Sequence, residues 1–307
     1  MVDISVIIVN YNTGHYLAQC VKSIEESTGT FPRLQIIVVD NNSSDASLEK
    51  AGLSVPAARY IKLPVNKGFA AANNIGLVEA EGRYILFLNP DTVVLAGTLN
   101  KLLDFMEGTP QAGACGGKIL NPDGSVQYDC RYRYGHTTLW VNILRNVGLL
   151  RSVERLGLIK NNIVDTPEYD RIRKTTTMHG CFFMVRRQLA VDLGGFDERF
   201  FMYGESEDFS LRISMAGWGM YYVPDARIIH YGQVSTDQAP GQMTVESVRS
   251  GFLYYKKHKG WLAGFIYRLG MLVKYSIRIL ILRMSGVLDR NTLGRYVALI
   301  KWLALNR

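Results

Sequence analysis

Cysteine is scarce in this 307-residue chain: four residues, Cys20, Cys115, Cys130 and Cys181, lie far apart and form no Cys-x-x-Cys pair. That spacing argues against a disulfide framework and a thiolate zinc site, and fits small buried apolar residues in a reducing compartment. No repeat of fixed period runs through the chain, which removes solenoids and propellers. No Gly-x-Gly-x-x-Gly follows the first apolar run, where Asn10-Tyr11-Asn12-Thr13-Gly14 stands instead, so a nucleotide-cofactor oxidoreductase lacks its main signature. The opening run Met1–Val9 carries an acid where a signal peptide has a basic segment, and no small-residue cleavage site follows. It reads as a buried strand, and the expected location is cytoplasmic. Acids are almost missing from the C-terminal end: from Gly251 onward, Asp289 stands against eleven Lys and Arg.

A hydrophobic content of 48% is ample for one large catalytic domain with a smaller appendage. The net charge of +8 is uneven, about +10 after Gly251 and about −2 before it. A basic tail on a near-neutral domain points to an anionic surface.

Short β-branched runs alternate with helical patterns over the first hundred residues. Strands are expected at Ile4–Asn10, Leu34–Asp40, Tyr60–Leu63 and Tyr84–Leu88. Helical spacing links Leu17, Cys20, Val21 and Ile24, and a second helix is expected over Phe69–Ala80. Near-continuous apolar strands separated by helices predict an α/β fold with a mostly parallel central sheet covered on both faces. Ligands of such sheets collect at the carboxyl ends of the strands, where Asn10-Tyr11-Asn12, Asp40-Asn41-Asn42 and Asn89-Pro90-Asp91 all fall. Residues 131–174 read as an irregular helical insertion. A strand is expected over Thr175–Arg186, a short helix ending at Leu193, a helix across Asp208–Ala216, and strands near Met220–Val223 and Ala226–His230. The polar stretch Gln233–Gly241 is the expected boundary, and the chain beyond it reads as helical.

The sharpest local feature is Asn89-Pro90-Asp91. Proline cannot continue the ladder as a donor, so a strand ends and a carboxylate is presented at the sheet edge. Asn-Pro-Asp is also ordinary turn chemistry; the functional reading is a ligand for a hard divalent cation, whose shell is completed by phosphate oxygens and water. Asp40 ends the second strand. Asn66-Lys67-Gly68-Phe69 opens a helix that carries Asn73 and Asn74, and Glu205-Ser206-Glu207-Asp208 sets acids at another helix start, where the macrodipole favours them in any case.

Together these motifs, in this order from about Ser5 to Ser235, resemble glycosyltransferase family 2, the inverting GT-A type, and in particular its rhamnosyltransferase-like branch. The resemblance implies a GT-A nucleotide-sugar-binding domain over residues 1–235, with 131–174 as an acceptor-side insertion. It implies that Asp91 contacts the metal, Mg²⁺ or Mn²⁺, and that Asn89 contacts the nucleotide. Tyr11, Asn12 and Asp40 would surround the base and ribose, and Asn66, Lys67, Gly68 and Asn73 would form the donor pocket. His230, in a segment similar to the branch's His-x-Gly-x-x-Ser, would be a further metal or diphosphate ligand. The branch reads Glu-Asp-x-Asp where this chain reads Glu205-Ser206-Glu207-Asp208, so Ser206 occupies the usual position of the general base. Asp208 is the first replacement, Glu205 the second, and Glu207 a third through a local shift.

The implied donor is a nucleoside-diphosphate sugar, dTDP- or UDP-linked, with rhamnose among the candidate sugars. The implied acceptor is a glycan or lipid-linked hydroxyl in bacterial cell-surface polysaccharide synthesis. The alternative is a non-catalytic sugar-nucleotide-binding or scaffold protein, which Ser206 keeps open.

Residues 236–307 read as a basic helical region. From Trp261 to Met284 the residues Leu262, Ile266, Leu269, Val273, Ile277, Leu280 and Met284 form one apolar stripe, with Arg268, Lys274, Arg278 and Arg283 around the other half. Four charges argue against a membrane span, each costing about 2.5–3.5 kcal/mol at a bilayer centre. A helix lying peripherally on the inner face of the cell membrane fits better, its cations on anionic headgroups; packing against protein is the other reading. Nucleic acid is excluded as the partner, because the tail is too apolar and carries no recognised binding motif.

Overall fold

The structure, a computed structural model, describes residues 2–28, 33–127, 169–232, 234, 240–286 and 290–305. The expected insertion therefore lies outside the described residues up to position 168, as do Cys130, Gln233 and Ser235. The chain divides into two compact units: residues 1–132, 163–201 and 205–238, and residues 133–162, 202–204 and 239–307.

In the first unit, β1 (Ile4–Asn10), β2 (Leu34–Asp40), β3 (Arg59–Lys62) and β4 (Tyr84–Leu88) lie parallel in the order β3-β2-β1-β4. β1 is buried along its whole length, and strand alternation divides its side chains between two layers. Ile4, Val6 and Ile8 meet Leu17, Cys20, Val21 and Ile24 of α1 (Tyr16–Thr28), while Ile7 and Val9 meet Ala70, Ala72 and Leu77 of α3 (Phe69–Val78). The short α2 (Ser47–Ser54) lies between β2 and β3.

Beyond β4 the sheet becomes mixed, a departure from the mostly parallel pattern of its first half. β8 (Phe182–Arg186) enters antiparallel to β4, and β6 (Ala112–Leu120) is antiparallel to β8 and parallel to β9 (Gly219–His230). β9 carries β5 (Thr92–Val94) antiparallel at one end and β7 (Arg173–Thr175) at the other. The expected strand over Thr175–Arg186 is broken between β7 and β8, which pair with different neighbours. The two strands expected on either side of Pro224 are one strand, with a register shift: Gly117 faces Val223 but Lys118 faces Arg227. Such an irregularity accommodates a proline within a strand. The helix α4 (Thr98–Gly108) buries Leu99, Leu102, Leu103 and Met106, and α5 (Arg187–Asp192) leads to α6 (Glu205–Met215). Cys20, Cys115 and Cys181 are buried, and burial pushes the Cys20 thiol up to about 12.

The second unit contains α7 (Pro240–Lys259), α8 (Trp261–Met284) and α9 (Arg290–Leu305). Its core joins Val248 and Tyr255 to Ala263, Tyr267, Met271 and Tyr275 of α8 and to Leu299 and Leu303 of α9. Tyr255 and Tyr267 stack at 5.1 Å. A side chain at Gly251 would collide with the Tyr267 hydroxyl, so the approach of α7 to α8 requires glycine there. Among the described residues no helix is long and apolar enough to cross a membrane.

Candidate active site

The carboxyl ends of β1, β2 and β4 share one sheet edge, because Asn10 pairs in register with Asp40 and Ile8 with Leu88. At the β1–β2 end the polar groups satisfy one another. The Asn10 amide donates to Asp40 Oδ1 (2.7 Å) and lies within reach of Ser47 Oγ (2.8 Å) and Ser43 Oγ (3.0 Å), while its oxygen accepts from Thr13. Asp40 Oδ2 takes the Ser43 amide. Asn12, held at φ 51°, accepts from the Ser44 amide at 2.7 Å. Asp40 and Asn10 are buried, whereas Tyr11 is half-buried at the rim.

A second closed network shapes the loop before α3. Asn41 Nδ2 donates to Asn66 Oδ1 (2.8 Å) and the Gly68 carbonyl, its Oδ1 accepts from the Lys67 amide (2.8 Å), and Asn66 Oδ1 also accepts from the Gly68 amide. Gly68 sits at φ 85°, and a Cβ there would run into the Phe201 carbonyl, which accepts the Phe69 amide at 2.7 Å. Asn73 donates to the Phe69 carbonyl one turn back. Asn41, the hub of this network, carries no sequence signal beyond its place after Asp40. The Lys67 side chain points to solvent.

The other end of the edge differs. Asn89 is fixed through its backbone: its amide donates to the Cys181 carbonyl and its carbonyl accepts from Thr92 Oγ1, yet its side-chain Oδ1 is buried with no hydrogen-bond partner. β5 places Thr92 opposite His230, and the Tyr231 amide donates to the Asp91 carbonyl. His230 Nε2 consequently stands 3.4 Å from Asp91 Oδ1, and both side chains are buried.

A directional chain sets the tautomer of His230. Ser125 donates to Asp123 Oδ1 and accepts from Asn121 Nδ2; Asn121 Oδ1 accepts from Gln127 Nε2. That fixes the Gln127 amide, so its Oε1, 2.8 Å from His230 Nδ1, takes a proton from the ring. When the ring is neutral, Nε2 is the lone pair and faces a carboxylate oxygen; when it is protonated, Nε2–H pairs with that carboxylate. A neutral ring and a carboxylate repel at that distance, so the pair is satisfied either by a proton on Nε2 or by a metal cation between the two atoms. The residues therefore fit a divalent metal, with Asp91 and His230 as ligands. Among the described residues no three His, Cys, Asp or Glu side chains form a group able to hold a metal ion, so further ligands would come from phosphate oxygens and water.

The acidic cluster forms the first turn of α6. Glu205 is buried, its Oε1 accepts from Ser206 Oγ at 3.0 Å, and its Oε2 is buried without a partner. Burial pushes its carboxyl up to about 7; Glu207 adds to the rise, and the Ser206 hydroxyl and His179 oppose it. Ser206 fits because residue 180 is glycine: a Cβ there would collide with Ser206 Oγ. Asp208 is fully buried against Arg212 (2.8 Å), and Arg212 also donates to the carbonyls of Leu193 and Gly195. His179 stands near both the cluster and His230. Its ring centre is 6.0 Å from that of His230, and its Nδ1 accepts from the amide of Cys181, whose carbonyl holds Asn89. Neither His179 nor Gln127 stands in a motif that would have singled it out.

The family model described as Glycosyl transferase family 2 matches residues 5–194. The N-acetylglucosaminyl-diphospho-decaprenol L-rhamnosyltransferase of Mycobacterium tuberculosis is 28% identical over 272 residues, covering 83% of this chain and 85% of the relative. The rhamnosyltransferase WbbL of Escherichia coli is 28% identical, covering 74% of this chain and 82% of its own length. Among solved structures, the mannosyltransferase PcManGT from Pyrobaculum calidifontis, in complex with GDP-Man and Mn²⁺, aligns with a TM-score of 0.58 at 14% identity, covering 99% of this chain and 87% of that one. At that identity the match speaks for a GT-A-type fold.

Proposed function

The chain belongs to glycosyltransferase family 2, and on that premise we propose that it is a metal-dependent, inverting enzyme that moves rhamnose from a dTDP- or UDP-linked donor to a hydroxyl of a lipid-linked glycan. The observation that carries the reading is a pair of buried acceptor atoms without a hydrogen-bond partner, Asn89 Oδ1 beyond β4 and Glu205 Oε2 at the start of α6, together with the buried His230–Asp91 pair. The two rhamnosyltransferase relatives support the sugar, and the mycobacterial one, by its name, supports an acceptor linked to lipid through a diphosphate. A lipid-linked acceptor in turn favours a peripheral position on the inner face of the membrane. Ser206 keeps the non-catalytic alternative in view; the unpartnered oxygen of Glu205 speaks against it, because a scaffold has no use for a buried carboxyl left unsatisfied.

Glu205 is the general base in this reading. The acceptor hydroxyl gives its proton to Glu205 Oε2 while its oxygen bonds to the anomeric carbon. The bond from that carbon to the nucleoside diphosphate breaks on the opposite face, so the configuration inverts. Asp91 and His230 would hold a divalent cation, which would supply charge neutralisation for the departing diphosphate. Asn89 orients the donor, and the closed Asn10–Asp40 and Asn41–Asn66 networks hold the walls against which base and ribose lie. Glu205 matches the task better than Asp208, whose carboxylate is tied to Arg212.

Titrating a nucleotide sugar with and without Mn²⁺ tests the site. Asp91→Ala should abolish the metal-dependent part of donor affinity and leave the thermal midpoint of the free protein near the wild-type value; unchanged Mn²⁺-dependent affinity would falsify the assignment. Gln127→Leu should weaken Mn²⁺ binding by about 10–100-fold, the usual cost of losing a group that orients a ligating histidine.

A further inference from the structure

α8 was expected to show one apolar stripe; the structure gives it two distinct faces. The face packed within the second unit is made of small and aromatic residues, Ala263, Gly264, Tyr267, Gly270, Met271 and Tyr275. Of the expected stripe, Ile266 packs against that core and Ile277 is half-buried, while the other large apolar side chains, joined by Phe265, point the other way. Leu262, Phe265, Leu269, Val273, Leu280 and Met284 are between 44% and 80% exposed. At about 100° per residue they fall within about 60° of one line, roughly opposite the packed face. The stripe is about 33 Å long from Leu262 to Met284. Exposed apolar surface on that scale marks a binding face rather than scattered surface residues.

We propose that this stripe is a membrane-docking face, lying in the headgroup–acyl boundary of an anionic bilayer with α8 parallel to the surface. Charge selects lipid over a second copy of the chain: from Gly251 onward there are eleven Lys and Arg against Asp289. Pairing two such faces would bring like charges together, whereas anionic headgroups neutralise them. Trp261 and Phe265, stacked at 5.3 Å and both exposed, stand at the start of the stripe beside the exposed Lys256 and Lys259. An aromatic pair next to lysines is the composition that settles at headgroup level.

The structure changes how the helix would hold on. Arg268 donates to the Leu303 carbonyl and Arg278 to the Tyr296 hydroxyl (2.9 Å), so two of the four cations expected to face lipid tie α8 to α9 instead. Insertion of the stripe is the main contribution, assisted by Lys256, Lys259 and Arg283 at the rim. The inference rests on the lipid-linked acceptor proposed above, which it would keep within reach.

Flotation of the full chain with vesicles of mixed phosphatidylcholine and phosphatidylglycerol tests it. Wild type should float with the vesicles, and the double variant Leu269→Glu, Leu280→Glu should lose binding by about tenfold or more. Both should share one thermal midpoint, since neither side chain belongs to the packed core; if the glutamates lower it, Leu269→Ser with Leu280→Ser gives the deciding comparison. Equal flotation of wild type and variant, or no flotation of wild type, overturns the proposal. A lipid-free dimer of wild type that the variant lacks also overturns it, in favour of self-association. Mn²⁺-dependent nucleotide binding is read in the same samples: its absence from both proteins counts against the transferase reading and leaves the vesicle result to stand by itself.

Discussion

The two halves of the sheet edge use the same residue types to opposite ends. At β1 and β2, Asn10, Asp40, Asn41 and Asn66 are bonded to one another and to backbone, so the polar groups complete a shape before any ligand arrives. At the ends of β4 and β9 and the start of α6, Asn89 and Glu205 each keep a buried acceptor atom without a hydrogen-bond partner, and His230 Nε2 meets only the Asp91 carboxylate. Burying an unpaired polar group costs roughly 1–3 kcal/mol. Stability alone would close the second half as it closed the first; on the proposed function, the open valences are where a ligand's atoms would finish the structure.

The largest effect that can sharpen this contrast comes from the open half. Glu205→Gln should lower turnover by roughly 10²–10⁴-fold while donor affinity stays nearly constant, the pattern of a group acting in the transition state. The same substitution should stabilise the free protein. A carboxyl raised to about 7 from 4.5 contributes stability below the lower value that is lost as pH rises through the upper one. Above about pH 7 the buried charge opposes folding by on the order of 3 kcal/mol, which glutamine relieves. Rate lost with stability gained is the expected pair of readings from stopped assays and thermal melts at pH 8. Asp208→Asn should do the reverse, destabilising the fold by breaking the Arg212 pair. A loss of turnover confined to Asp208→Asn would return the base to that residue.

The closed half should break in the opposite sense. Asn10→Ala leaves Asp40, Thr13 and two serines short of a partner. It should destabilise the protein by about 1–3 kcal/mol with turnover per folded molecule little changed. A stable Asn10→Ala protein with weakened donor binding would mean that this network is itself a ligand contact, and the contrast between the halves would fail.

How much of this was legible in the sequence follows the same division. β1, β2, β4 and α8 have the bounds that their apolar patterns gave, because burial on both faces, or a sustained helical period, writes itself into every residue. β6 did not, since Ala112–Leu120 is rich in glycine and poor in β-branched residues. Its glycines are set by neighbours distant in sequence: a side chain at Gly117 would collide with the Ala226 carbonyl, and one at Gly113 would crowd Trp218. α4 was overlooked although Leu99, Leu102, Leu103 and Met106 show its period. In the site, motif order located Asn89, Asp91, His230 and the acids of α6, but ranking those acids needed three dimensions. The Asp208–Arg212 spacing of four residues hinted at a pair; nothing along the chain shows that Glu205 is buried with one oxygen bare. For α8 the period was right, yet glycine, alanine, tyrosine and methionine make the packed face, and most of the aliphatic stripe does not.

The smallest expected effect tests whether Ser206 is a relic or a working part of the open half. Its hydroxyl donates to Glu205 Oε1, an interaction that favours the charged carboxylate and leaves Oε2 to the acceptor. Gly180 makes room for that hydroxyl, so the serine is matched to its surroundings. Glu207 and His179 act on the same carboxyl from either side in sign, one raising and one lowering it. Ser206→Ala removes one of the influences that lower it. The acidic limb of the kcat/KM profile, expected near pH 7 for wild type, should move to higher pH by about one unit or less. Above the shifted limb, activity should return close to the wild-type plateau, because alanine keeps the backbone and leaves Glu205 in place. A profile of unchanged midpoint with a lower plateau would assign Ser206 to acceptor binding, and one identical to wild type would show that Glu205 is set by burial and its other neighbours alone.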